Sequence, residues 1–244
     1  TIRMIYAGTT PDATGYDTGI GLSRYNEEAN APKYAGYTYD RTTNETESYA
    51  KQMLDNWYDT NFSGTSYEDN IATTRFCNDT SNYQESTFTT GFFAGYKYGF
   101  FSTMQRFGYN PTTEQTEVNN VNPTFKCPAT TETFGGSYNL KVGLMTSDEL
   151  ITAGELGTVE NKSMYLSGND EEERPSYTMS PQFMIYDSDS FNPMMFLNYN
   201  NTGTITTAQI GTTADLYPVI NLKSNVVFKE GTIGSIDSPY ELAE

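Results

Sequence analysis

The sequence contains no histidine and only two cysteines. The absence of imidazole excludes Ser-His-Asp and Cys-His catalysis, histidine-ligated zinc, and pH sensing through histidine. Two thiols are too few for an all-cysteine zinc or iron–sulfur site. Three classes of function remain, namely a binding module, a structural module, and an enzyme that works with carboxylates and lysine alone.

Positive charge is also scarce, with 14 Lys and Arg residues against 31 Asp and Glu residues and a net charge of −17. A protein this acidic repels phosphate backbones and anionic lipid, so nucleic-acid binding is excluded. There is no apolar run of about 18 residues, and we expect no membrane insertion by this chain. No signal peptide is recognisable before the strand-like run of residues 2–6, and we expect a mature or trimmed product.

Aromatic residues are abundant, with 20 Tyr and 14 Phe beside a single Trp. Disordered chains lack aromatic residues, so the mean hydropathy of −0.60 does not indicate disorder here. A composition rich in Tyr and Thr suits strands with one solvent-facing side. We therefore expect a folded protein with many strands.

Cys77 and Cys127 lie in similar settings, each near an aromatic residue and before turn-forming residues. We expect a disulfide between them, and two unrelated buried thiols are the alternative. In the chain-entropy model a bridge that closes a loop of this length adds roughly 4 kcal/mol. A bridge also implies an oxidising, extracytoplasmic location.

Two segments have a helical pattern. Residues 47–58 have an apolar stripe and can be capped by Thr46 or Ser48. Residues 147–153 have acidic side chains in the first turn and can be capped by Thr146 or Ser147. The sequence therefore predicts two short helices.

Turn residues separate several short strand-like runs, whereas residues 59–139 have no clear period and are expected to form an irregular, partly ordered insertion. Together with the helices, these runs predict a single α+β domain over residues 1–244. The strands are expected at residues 1–8, 140–145, 177–181, 183–186, 194–199, 205–210, 217–222 and 225–229. A turn is expected at Pro181.

The closing half of the chain resembles a bacterial surface domain that is common in gut Firmicutes and their phages. Residues 142–154 are similar to its unit of a strand, a T-x-D/E-E helix and an A-G pair. Residues 164–168 and 177–181 resemble its Y-L-x-G and W-T-M-S-P segments. Residues 217–224 resemble its closing V-R-P-V-I-N-L-K-S segment.

The resemblance continues upstream. Residues 2–8 are similar to I-R-x-I-Y-x-G, residues 55–58 to D-x-W-Y, and residues 76–79 to F-C-N-D. In the family a further strand precedes the first of these segments. Without that strand, residues 2–6 have an unpaired edge, which another copy or an upstream segment would fill.

The closing half of that family is similar to C-type-lectin-like and formylglycine-generating-enzyme-like folds. The resemblance implies an α+β fold with two short helices, a central antiparallel sheet and long ordered loops. This chain departs from the pattern at Tyr177, which replaces Trp, and at residues 216–217, which replace Val-Arg. An acidic insert over residues 169–175 is a further departure.

The resemblance also implies a display surface between the S-P turn and the final strand, which is residues 182–215 here. Tyr provides rigid amphipathic area, and Asn and Asp provide adaptable hydrogen bonds. The alternative is that these side chains are the ordinary polar faces of meandering strands. The candidate ligand-binding residues are Tyr186, Asp187, Asp189, Asn198, Tyr199 and Asn200.

Metal and catalytic chemistry have weak signals. Asp187 and Asp189 alternate with serines and could help to hold Ca²⁺, although a solvated turn is the alternative. No other cofactor is indicated, and no catalytic residue is assigned. The copper and oxidation chemistry of formylglycine-type enzymes is not transferred, because Cys77 and Cys127 lie outside the closing motifs. We expect a protein that is not an enzyme, and a hydrolase with two convergent carboxylates is the least favoured alternative.

These observations predict an extracellular binding module of a bacterium or phage, an adhesin or receptor-binding domain whose partner is a host glycan or protein receptor. The alternative is a structural subunit of a surface filament, pilus or layer, in which copies of the chain complement each other's strands. Both expectations depend on residues 218–222 forming a buried strand that supports the segment before it. Asn-x-Ser/Thr sequons, including one at Asn78, leave surface glycosylation open.

Overall fold

A computed structural model gives the fold of most of the chain. The described residues are 1–6, 8, 19–28, 32–38, 46–81, 84–87, 97–100, 102–110, 115–127, 134–154, 175–187, 190–199, 204–235 and 237–243.

The first predicted helix is present as α1 (Tyr49–Asn61), which begins where Ser48 accepts a hydrogen bond from the backbone N–H of Lys51 at 3.2 Å. Its buried face includes Leu54 and Tyr58. The apolar stripe of the sequence is therefore the face that packs on the core, as expected for an amphipathic helix.

The second predicted helix is present as α3 (Ser147–Thr152). Thr146 caps it, and the side chains of Thr146 and Glu149 form a reciprocal capping box. A third helix, α2 (Ser102–Arg106), was not expected, because a five-residue helix is too short to show a period in sequence.

About half of the described residues outside the helices form strands. The range 59–139 was expected to be irregular, but it contains strands β3 to β7. Two of these, β4 and β5, belong to a seven-stranded sheet. The strands are β1 (Ile2–Ile5), β2 (Leu22–Arg24), β3 (Thr74–Asn78), β4 (Gln84–Thr87), β5 (Lys97–Phe100), β6 (Phe107–Asn110), β7 (Gln115–Val121), β8 (Gly136–Leu140), β9 (Val142–Gly143), β10 (Pro175–Asp187), β11 (Ser190–Tyr199), β12 (Thr204–Gln209), β13 (Thr213–Asp215) and β14 (Val219–Leu222).

Strand β10 is the centre of a seven-stranded sheet with the order β12-β11-β10-β13-β2, to which β5 and β4 are added beside β10. All of its pairings are antiparallel except that of β10 with β13. The turn expected at Pro181 is not there. The strand continues with a register irregularity on each side of this residue, because proline has no N–H to donate to a neighbouring strand.

A second, three-stranded sheet has the order β1-β14-β9. In its central strand, Val219 and Leu222 are 1% and 4% exposed. The prediction of a buried strand near the end of the chain is confirmed. Together with the helices, these sheets confirm an α+β protein that is predominantly antiparallel.

Most of the described residues between 182 and 215 form regular sheet. Strands β11 and β12 pair over six residues, and Met195 and Leu197 of β11 are almost fully buried. The short strands expected in this region are confirmed, but the segment contributes to the core instead of being held entirely away from it.

One buried side chain joins three parts of the core. Asn78 is fully buried, accepts a hydrogen bond from the N–H of Tyr37, and donates to the carbonyls of Met179 and Ala35. The sequon at this residue is therefore inaccessible to glycosylation in the folded protein. Its amide instead satisfies backbone groups of β10 and of a 3-10 helical turn (Pro32–Ala35).

Tyr177, which departs from the family pattern, ties β10 to the turn after β12. Its hydroxyl is 2.5 Å from the carbonyl oxygen of Thr212 and 3.1 Å from that of Ile210, and its side chain is almost completely buried. Burial raises the pKa of this phenol far above its ordinary value, so it remains a hydrogen-bond donor at neutral pH.

We expect Tyr177→Phe to lower the free energy of unfolding by about 1–2 kcal/mol, because buried carbonyls lose their donor. Urea titration followed by circular dichroism measures this change. Tyr240→Phe is the matched control, because Tyr240 is 60% exposed, and its effect should stay within about 0.5 kcal/mol. Equal stability of the two variants would contradict a structural role for the Tyr177 hydroxyl.

Candidate functional site

The residues expected to bind ligand lie in two places. Tyr186 pairs with Phe191 of β11 and with Lys97 of β5, and Asp187 follows it at the end of β10. Asn198 and Tyr199 lie at the other end of the hairpin that β10 forms with β11.

This register separates the two groups by roughly 20 Å along β11, given the rise of an extended strand. Both groups lie inside the sheet, with a strand on either side of Tyr186, Asn198 and Tyr199. Asp189 and Asn200 lie outside the described residues, as does the acidic insert up to residue 174. The display surface of residues 182–215 therefore stays a prediction.

The calcium expectation rests on Asp187 and Asp189, and Asp189 is not described. Within the described ranges, no three Cys, Asp or Glu side chains are grouped as metal ligands.

The structure brings together a different set of polar side chains in a cleft of about 90 Å³, called here the polar cleft. It lies where β1, β3, α2, α3 and the segment after β7 meet. Its charged and aromatic lining consists of Arg3, Arg75, Phe76, Asp79, Arg106, Phe125, Lys126, Asp148 and Glu149.

A buried ion-pair cluster lies at the base of the polar cleft. The Arg106 guanidinium donates to both carboxylate oxygens of Asp148, at 2.7 and 2.8 Å, and its third nitrogen donates to Asp79 at 2.7 Å. The two carboxylates are 4% and 5% exposed. Burial by itself lowers the pKa of Arg106, but the hydrogen bonds and charges of Asp148 and Asp79 outweigh it and raise that pKa. This arginine is therefore a fixed cation.

The segment after β7, residues 122–127, forms one rim of the cleft and is fixed at two points. The N–H of Thr124 donates to Asp148 at 2.9 Å, which connects the rim to the ion-pair cluster. The expected disulfide between Cys77 and Cys127 is present, with Cα atoms 5.4 Å apart, and connects the rim to β3. The rim is thus anchored on both sides of residues 125 and 126.

Between those anchors the rim presents Phe125, which is 70% exposed, and the exposed Lys126. Arg75 reaches the same cleft from β3 and is also exposed. Neither of these two cations has an ion-pair partner in the part of the chain that the structure describes. They are the charges of the cleft that remain available to a ligand.

Arg3 completes the cleft from β1. Its guanidinium pairs with Glu149 at 2.6 Å and lies 4.6 Å from the centre of the Phe76 ring. Glu149 also accepts the N–H of Thr146 in the capping box. The pair is therefore held by α3 at one end and by a cation–π contact at the other.

The polar cleft has the opposite charge balance to the rest of the chain. Four cations and three carboxylates line it, whereas the whole chain carries a net charge of −17. The carboxylates are matched by Arg106 and Arg3, whereas Arg75 and Lys126 have no ion-pair partner among the described residues. An anionic group is the ligand chemistry that this arrangement favours.

Sequence reasoning missed this cleft, although one signal was available. Arg75 stands two residues before Cys77, and Lys126 stands directly before Cys127. Because the disulfide was expected, the side chains that flank the two cysteines could have been expected near each other. The roles of Asp148 and Arg106 had no such signal, since they depend on the packing of two helices.

A second surface is apolar and lies beside β1. A groove of about 390 Å³ is formed mainly by side chains of β1, β14 and the end of the chain. Ile2 and Met4 of β1 are 46% and 44% exposed. Strand β1 pairs with β14 on one side, and none of the described strands pairs with its other side.

Comparison with known proteins finds no family model that matches this chain, and no curated protein or solved structure is significantly similar to it. Among the described helices, none has the length and apolar character needed to cross a membrane.

We expect Arg106→Met to lower the free energy of unfolding by about 3–5 kcal/mol, because it leaves two buried carboxylates without a counter-charge. Guanidinium chloride titration measures the loss. Arg75→Met is the control, because this exposed cation has no such role, and its effect should be within about 0.5 kcal/mol. If both variants lost the same stability, the ion-pair cluster would not be what fixes the cleft.

Proposed function

We propose that this protein is an extracellular binding module of a bacterium or phage, an adhesin or receptor-binding domain, and that the polar cleft is its primary site. The observation that carries the proposal is the rim of residues 122–127. It is held by a buried carboxylate and a disulfide, yet it presents an exposed aromatic ring beside Arg75 and Lys126, two cations that no described residue pairs. Anchoring of this kind lowers the entropic cost of binding a ligand.

Binding fits the cleft better than catalysis does. Each of its three carboxylates is occupied, Asp79 and Asp148 by Arg106 and Glu149 by Arg3. A general acid or base needs a group that can exchange a proton with substrate, and a carboxylate held by a guanidinium is poorly suited to that role. We therefore propose a protein without enzymatic activity.

The proposed location and fold type rest on separate features. The disulfide between Cys77 and Cys127 is compatible with an extracellular protein. The α+β architecture with few helices is compatible with a C-type-lectin-like domain, which the motif resemblance favours. In such a domain the regular core supports a variable recognition surface, and we assign the polar cleft to that surface.

We expect Phe125→Ala to reduce binding to a host glycan or protein receptor at least tenfold while leaving the fold intact, because the ring is the largest exposed contact of the cleft. The measurement is an array of glycans and host surface proteins, followed by titration of each hit. Ile233→Ala is the matched control, since Ile233 is 71% exposed and lies away from the cleft.

A triple variant of Tyr186, Asp187 and Tyr199 to Ala tests the display surface in the same assay. Loss of binding in the triple variant with full binding by Phe125→Ala would move the site to residues 182–215. Absence of any ligand for the unaltered protein on both arrays would count against a binding module.

A second function is favoured by the unpaired edge of β1 and the apolar groove next to it. An edge strand with free backbone groups can accept a strand from another copy, and the groove can accept its apolar side chains. This arrangement would suit a subunit of a surface filament, pilus or layer. Each copy carries a charge of −17, so assembly should require salt that screens the repulsion.

If the second function holds, the protein should form filaments or sheets in electron micrographs as salt and protein concentration rise. Met4→Lys should prevent assembly, because a lysine on an edge strand opposes strand addition. Val227→Lys is the control, since Val227 is 67% exposed and is not part of the groove. A protein that stays monomeric under all these conditions would argue against a structural subunit.

A further inference from the structure

We infer that the polar cleft binds the carboxylate of an acidic sugar, with Arg75 and Lys126 as the charge partners and Phe125 as the platform for the sugar ring. This inference rests on the proposed binding function and specifies the ligand for it. The charge of the lining favours an anionic group, and the volume of the cleft limits the size of that group. The exposed aromatic side chain favours a sugar ring beside it.

Two of the cations that line the cleft already have carboxylate partners. Arg106 is committed to Asp148 and Asp79, and Arg3 is committed to Glu149, so a ligand gains little from either. Arg75 and Lys126 lack an ion-pair partner among the described residues and line the same cleft. An arginine fork can hold a carboxylate through two hydrogen bonds, and a lysine adds a point charge.

The size of the cleft limits what can enter. Its volume of about 90 Å³ is well below the several hundred Å³ that sites for whole drug-sized ligands enclose. A single small group of a larger ligand therefore enters, and the remainder lies on the rim. A carboxylate attached to a ring fits this description.

The aromatic ring distinguishes a sugar from an acidic peptide. Phe125 is 70% exposed and lines the same cleft as Lys126, so the remainder of a ligand whose anion is held by Lys126 can lie on the Phe125 ring. A pyranose has a face of C–H groups that can cover a flat aromatic side chain, whereas an Asp or Glu side chain provides only a narrow methylene stem. The pair of residues thus favours a ring bearing the carboxylate.

The position of the two cations is maintained without the ligand. The disulfide connects Cys77, two residues after Arg75, with Cys127, the residue after Lys126. The N–H of Lys126 also donates to the Thr124 side chain, which is itself next to the N–H held by Asp148. Reducing the disulfide should therefore weaken binding of the acidic sugar by releasing one anchor of the rim.

The test uses methyl glycosides of glucuronic acid, galacturonic acid and N-acetylneuraminic acid, each paired with its own methyl ester, which is the same sugar without the charge. Titrations are followed by nuclear magnetic resonance of the intact protein. We expect at least one acid to bind at least tenfold more tightly than its ester and to lose that advantage as NaCl is raised.

Arg75→Gln with Lys126→Gln should remove the preference for the acid over its ester. Arg24→Gln with Lys223→Gln is the matched control, because it changes the net charge equally through two exposed cations outside the cleft and should keep the preference. Phe125→Ala should weaken binding of the acid and the ester alike. Shifts of the amide signals of residues 124–127 would place the sugar on the rim.

The outcomes separate this inference from the proposed function. If the arrays yield a ligand that depends on Phe125 but each ester binds as well as its acid, the carboxylate assignment is wrong and the binding module stands. If a short Glu-rich peptide binds more tightly than every acidic sugar, the assignment of a sugar ring to the ligand is wrong. If neither the arrays nor the sugars give any binding, both proposals are overturned.

Discussion

The arrangement of the elements around the polar cleft depends on the ion-pair cluster of Arg106 with Asp148 and Asp79. Arg106 ends α2, Asp148 lies in the first turn of α3, and Asp79 directly follows β3. Buried charges are tolerated only when every partner is in place, because the cost of removing a charge from water is large. The three elements are therefore coupled, and the rim shares in that coupling because Asp148 also accepts the N–H of Thr124.

The ion-pair cluster also bears on the proposal that a strongly acidic protein offers a site to an anion. The buried cluster uses its arginine internally, so the cleft cations without an ion-pair partner among the described residues are Arg75 of β3 and Lys126 of the rim. Acidic residues further away than the screening length, about 10 Å at moderate ionic strength, affect a bound ligand little. They still slow the approach of large polyanions, so a small anionic group on a neutral carrier is a better partner than a polymer of like charge.

Sequence reasoning succeeded where a local rule was sufficient. The candidate caps and the acidic first turn predicted α3, the apolar stripe predicted α1, and the two cysteines were expected to pair. It failed where the structure depends on packing between residues that are far apart in the sequence. A turn was expected at Pro181, but β10 accommodates this residue through irregular register beside β11. The cleft joins residues from 3 to 180 along the chain, and no spacing in the sequence can show that Arg106 meets Asp148.

The segment of residues 76–79, which resembles F-C-N-D, contains side chains that stabilise the fold, whereas exposed side chains of the polar cleft lie close to it in the sequence. Phe76 packs in the core beneath Arg3, where a Cβ on Gly143 would overlap its ring, and Asn78 satisfies three backbone groups. Changing either residue would disturb the fold. Arg75, by contrast, is exposed although it directly precedes Phe76, and Phe125 and Lys126 are exposed beside the disulfide. If the proposed function holds, a change of ligand would act on these exposed positions, whose substitution should cost less stability than substitution of Phe76 or Asn78.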